Sequence, residues 1–136
     1  MSWPQHVMNP QYVRALYDAD DGLDQLDLIE VILKCYGPGL TVRANLARFP
    51  DRPSPRWPRE YNQAQVRLDF LFVTNLSISG FAAENRGRLL VEPRDGGYQF
   101  TFQGATAQAS GFCTDLRVAD VTGYINTELE GDTHGS

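Results

Sequence analysis

Histidine is nearly missing from this 136-residue chain, with only His6 near the start and His134 near the end. Imidazole is the commonest general base and metal ligand, so neither kind of chemistry has an obvious donor, and no zinc spacing occurs. Cysteine is equally scarce. Cys35 and Cys113 form no CxxC pair and are too few for the disulfide framework of a small secreted domain, so both read as reduced, buried thiols. Long apolar runs are absent too: nothing approaches the ~20 residues that cross a bilayer, and MSWPQHVMNPQ lacks the charged and apolar regions of a leader peptide. These absences predict a cytoplasmic protein with no membrane partner, no metal and no other cofactor.

Basic charge is in deficit as well. The net charge is −5 and the isoelectric point about 4.9, the opposite of the footprint expected of a direct nucleic-acid binder. The charge is unevenly placed. Residues 1–30 carry Asp18, Asp20, Asp21, Asp24, Asp27 and Glu30 against Arg14, whereas residues 31–60 carry Lys34, Arg43, Arg48, Arg52, Arg56 and Arg59 against Asp51 and Glu60. That asymmetry predicts separate acidic and basic surfaces. The run DADDGLDQLDLIE has the flavour of a calcium loop, but no register puts carboxylates at positions one, three and five with Gly at six and Glu at twelve.

What the chain has in quantity is alternation. Leu40, Val42, Ala44 and Leu46 point one way in LTVRANLARF while Thr41, Arg43 and Asn45 point the other, as a half-buried strand requires. QVRLDFLF repeats the device with Val66, Leu68, Phe70 and Phe72. LDLIEVILKCY is apolar and β-branched enough for a central strand, and it ends at Gly37-Pro38-Gly39. NLSISGF follows, then RLLVEPR and YQFTFQG joined by the hairpin signal Asp95-Gly96-Gly97, and a last apolar region around TDLRVADVTGYI.

Before the strands, MNPQYVRALY carries the marks of a helix start, with Asn9 as cap, Pro10 in the first position and Met8 and Val13 as a staple. With no crossover helices, the strands must pair antiparallel. The expected fold is a mainly β (α+β) single domain over residues 1–128, a sandwich or half-barrel of about six to eight strands with one N-terminal helix. Residues 129–136 read as a disordered tail.

No catalytic constellation emerges. G-x-S-x-G, Walker and G-x-G-x-x-G motifs are missing, Ser77 and Ser79 suit the exposed side of a strand, and no Asp/Glu pair stands out as an acid and base. One segment breaks the alternation. FPDRPSPRWP, residues 49–58, holds four of the eight prolines, which forbid both a helix and a central strand. The connection it lies in, about residues 49–64, exceeds ordinary hairpin length. Trp57 within it is either an exposed contact residue or an anchor, and Phe49 and Tyr61 are placed to complete a cluster that favours the anchor.

Several stretches together resemble the immunity protein 50 family of bacterial polymorphic toxin systems: SW followed by a helix ending in ALY, GPGLTVRANLARFPDRPSPRWP, QVRLDFLFVTNLSISGF and the later strands ending near VTGYI. The most specific part spans about residues 40–81. The resemblance implies a small cytoplasmic antitoxin that binds and neutralises a cognate toxin domain, with no catalytic residues. It supplies no toxin-contact residues. The candidates for partner binding come from charge and aromatic character alone: Asp18, Asp20, Asp21, Asp24, Arg52, Arg56 and Trp57. Were the toxin a basic nuclease, the aspartates would stand in for phosphates and speed association. A monomer or weak dimer is expected. Two other readings compete: a small-ligand binder or minor hydrolase with a pocket in the sheet, and a subunit docking through its sheet edge or Arg-rich loop.

Overall fold

The computed structural model describes residues 3–127. The alternating runs become strands β1 (Gln25–Lys34), β2 (Gly39–Leu46), β3 (Gln63–Leu71), β4 (Thr74–Ser79), β5 (Arg86–Arg94), β6 (Gly97–Gly104), β7 (Gln108–Cys113) and β8 (Asp115–Tyr124). All eight pair antiparallel in one sheet of order β4-β7-β6-β5-β1-β2-β3-β8. The predicted class holds. β7, built on the small-residue run QASGFC, is the strand that apolar patterning does not announce. The Asp95-Gly96 turn joins β5 to β6 with Arg94 opposite Gly97 and Gly96 at φ +81, a conformation glycine adopts without steric cost.

A flat sheet would hold β3 and β6 four strand spacings apart, roughly 19 Å. Phe70 of β3 and Phe100 of β6 instead pack with ring centroids 4.6 Å apart. The sheet is therefore doubled over on itself, and its inward residues make one core that includes Leu28, Val42, Leu68, Phe70, Leu89, Val91, Phe100, Phe102 and Leu116. The half-barrel, rather than a sandwich of two independent sheets, is the form it takes.

The bending occurs at two places. At one, β1 and β5 pair over only Gln25–Asp27 and Arg86–Arg88. At the other, the β3/β8 ladder continues into the β4/β7 ladder across a corner at Phe72-Val73 and Thr114. The corner is tied by Thr114 N–H to Leu71 O at 3.0 Å and Val73 N–H to Pro38 O at 2.8 Å. These bonds hold Phe72 at φ 54, a left-handed conformation that is costly for a bulky residue. Phe72 was expected on the inward face with Phe70, but the corner turns it out and leaves it 56% exposed.

The N-terminal segment fills one open side of the doubled sheet. Trp3, in a short 3-10 turn Trp3–Gln5, is buried and donates its indole N–H to Leu23 O at 2.7 Å; Val7, Val13, Tyr17 and Leu23 join the same core. The helix expected here is a single turn, α1 (Gln11–Arg14). Asn9 does not cap it. Its side chain accepts from Val118 N–H at 2.9 Å and donates to Val118 O at 2.8 Å, and Met8 N–H reaches Leu116 O at 2.8 Å. Asn9 thus imitates a strand and covers the β8 edge, while Met8 stands 59% exposed instead of stapling the helix. The tail 129–136 lies outside the described residues.

Truncating Phe100 to Ala removes the ring that joins the two halves. It is expected to destabilise the domain by about 3–5 kcal/mol, read as a lower midpoint of urea unfolding.

Candidate interaction surfaces

The acidic segment and the proline-rich loop were expected to form separate surfaces, but they close on each other. Arg52 pairs with the Asp18 carboxylate, donates from Nη2 to Arg14 O at 2.7 Å and from Nε to Ala15 O at 3.3 Å. Its backbone N–H reaches Leu16 O at 2.9 Å. A one-turn helix leaves its last carbonyls without intrahelical partners, and Arg52 supplies them. Arg48 donates to Ala19 O at 2.6 Å and lies 5.1 Å from the centre of the Tyr17 ring. Asp51 accepts from Asp18 N–H at 2.9 Å. Tyr17 donates its hydroxyl to Arg48 O at 2.6 Å, and burial holds that hydroxyl well above the ordinary phenol value.

Of the remaining sequence candidates, Asp20 pairs with Arg14 and Asp24 with Arg88 at 2.8 Å. Asp21 and Arg56 are exposed and enter no ion pair among the described residues. Trp57 is half-buried. Its ring lies 6.1 Å from that of Phe49 and 6.2 Å from that of Tyr61. It rests on Gly123 of β8, where a Cβ would come within 2.7 Å of the indole. The geometry is that of an anchor pinning the loop to the sheet.

Sequence reasoning missed the apolar end of β1. Its dense apolar and β-branched composition suggested a central strand, but Ile29 is 46% exposed, Ile32 40%, Leu33 60%, and Tyr36 on the following turn 99%. Phe72 and Phe81 are exposed as well. Cys35, expected to be buried, is exposed on this turn, while Cys113 is buried and its thiol pushed up to about 12 by burial and by the Asp115 charge. Apolar density up to the Gly-Pro-Gly turn gave no sign of this, because the exposure arises where β1 runs on past the end of its pairing with β5.

The outward face of β2, β3 and β8 is polar and hydrogen-bonded. Asp69, 8% exposed, accepts from Thr41 Oγ1 at 2.8 Å and from Arg117 Nη2 at 2.6 Å. Burial alone would raise its carboxyl, but the hydrogen bonds from Arg117 and Thr41 and the Arg117 charge outweigh it and hold the group below the usual carboxylate range. Asn45 accepts from Tyr124 Oη at 2.6 Å. Asn45 and Tyr124 line a wide groove together with Glu84, Arg86 and Asn126, while the apolar cavity inside the doubled sheet is about 30 Å³, close to the size of one water. Among the described residues no group of three or more His, Cys, Asp or Glu is placed to hold a metal ion, and no helix is long and apolar enough to cross a membrane.

Among families of known proteins, the one described as Immunity protein 50 matches residues 9–124. No curated protein and no solved structure matches the chain.

A carboxyl held below its unfolded value stabilises the fold at neutral pH and loses that contribution as pH falls through the folded value. Asp69→Asn is therefore expected to cost about 2 kcal/mol at pH 7 and much less in acid. Urea unfolding across a pH series would show wild type and variant converging as the pH drops.

Proposed function

The chain belongs to the immunity protein 50 family, and on that premise we propose that it binds a cognate bacterial toxin domain and neutralises it by non-covalent, non-catalytic blocking in the cytoplasm. The observation that carries the reading is the extent of the match, residues 9–124, which takes in every strand of the sheet. An antitoxin of this kind needs an exposed patch rather than a deep cleft, since it acts by covering the toxin's active site or the face the toxin presents to its target.

The contact surface we assign is the joined acid and base face, with Asp21 and Arg56 as its charges unengaged by ion pairs among the described residues. Asp18, Asp20, Asp24, Arg52 and Trp57 shape that face through the contacts they make within the chain. Its acidic side suits a toxin with a cationic substrate face, as a nuclease has, because opposite fields steer encounter.

Co-expression with the toxin domain encoded beside it is expected to restore growth, and the purified pair to form a stable complex. Continued toxicity with no complex would remove the reading. Asp21→Lys and Arg56→Glu leave the internal ion pairs intact, so the melting temperature should be preserved. At low salt the association rate is expected to fall several-fold for Asp21→Lys and to rise for Arg56→Glu, which adds negative charge opposite a cationic toxin face, and both are expected to converge with wild type at high salt; rates unchanged by both at low salt would place the contact elsewhere.

A further inference from the structure

β1 is a central strand for its first three residues and an edge strand for the rest. Gln25, Leu26 and Asp27 pair with β5, and Leu28 N–H reaches Asn85 O at 3.1 Å. Past the bulge between Leu28 and Glu30, β2 is the strand that pairs with β1 among the described residues, from Glu30 opposite Arg43 to Lys34 opposite Gly39. Within Glu30-Val31-Ile32-Leu33-Lys34, Val31 lines the small apolar cavity, as do Ile78 and Phe81.

An open edge is a template for another strand, and proteins usually blunt it with charge, proline or a cover. This one keeps Ile32 and Leu33 exposed, with a single charge of opposite sign at each end. The five residues are complementary to themselves when reversed. Antiparallel about Ile32, Ile32 meets Ile32, Val31 meets Leu33, and Glu30 meets Lys34, the last two contacts occurring twice by symmetry. Opposed residues share a face, so the two charge pairs fall on the outer face with Ile32, and Val31 and Leu33 fall on the inner face, where they already stand opposite Val42 and Leu40. A slip of one residue would oppose Glu30 to Leu33 or Lys34 to Val31, so charge selects the register.

We propose that a second copy of this chain adds along the Glu30–Lys34 edge, antiparallel about a two-fold axis at Ile32, to form a homodimer whose sheet continues across the axis. The inference stands apart from the antitoxin reading. Glu30 already lies 3.5 Å from Arg43 of its own chain, and in the dimer it sits between that arginine and the second copy's lysine.

Sedimentation velocity over a concentration series on the full chain tests it, with circular dichroism confirming that each variant is folded. Wild type is expected to dimerise as concentration rises. Glu30→Lys or Lys34→Glu alone opposes like charges twice and should weaken the dimer roughly ten-fold, whereas the double swap E30K/K34E restores opposite charges and should recover most of the loss. Ile32→Thr keeps strand propensity and should weaken association by removing the apolar contact on the axis. A chain monomeric at every concentration, a dimer indifferent to the single swaps, or a double swap no better than either single would each overturn the proposal. So would a monomeric wild type whose toxin binding is lost in the charge swaps, which would give the edge to the toxin.

Discussion

The contact between Phe70 and Phe100 is the one on which the rest of the architecture depends. A single sheet with one apolar face must bury that face somewhere, and among the described residues no second sheet or long helix is available to cover it. Doubling over lets the sheet bury itself, but bending costs hydrogen bonds where it occurs. β1 and β5 pair over three residues where their lengths would permit more, and the β3/β8 ladder breaks at Phe72 before resuming as β4/β7. Both open sides of the molecule follow from this. The N-terminal segment plugs one with Trp3, Val13 and Tyr17; at the other, the end of β1 pairs with β2 alone among the described residues.

The same economy explains why opposite charges concentrate where they do. A four-residue helix has almost no stability of its own, so α1 relies on Tyr17 and Val13 in the core and on Arg52 at its carbonyls. The proline-rich loop can deliver Arg52 there because its prolines restrict its conformations and Trp57 pins it to Gly123. Arginine and aspartate in these segments are therefore structural first. Whatever partner approaches this side meets a face already largely neutralised, which narrows the charges able to guide it.

Much of the fold was legible in residue order. The period-two runs of β2 and β3, the Gly-Pro-Gly and Asp-Gly-Gly turns and the long loop between β2 and β3 all lie where local stereochemistry puts them, because strand alternation and turn conformation are properties of a few adjacent residues. The failures share a cause. Asn9 fits a helix cap locally but bonds to Val118, a partner 109 residues away. Phe72 continues the alternation of β3 but stands at the corner that closes the sheet. Cys35 and Leu33 have the composition of a core and lie where neighbouring strands end. Asp69 gave no sign of its role, since the Thr41 and Arg117 side chains that hold it come from different strands.

By itself, the sequence determined the antiparallel β class, the turn positions and the aromatic cluster around Trp57, since each rests on backbone preferences or on short-range packing. It also carried, in EVILK, a self-complementary order of charge and apolar residues. Only the tertiary structure decided that this stretch is an edge. Whether a strand is covered depends on where the sheet bends, and that is set by the packing of β3 on β6 across the whole core rather than by any residue within β1.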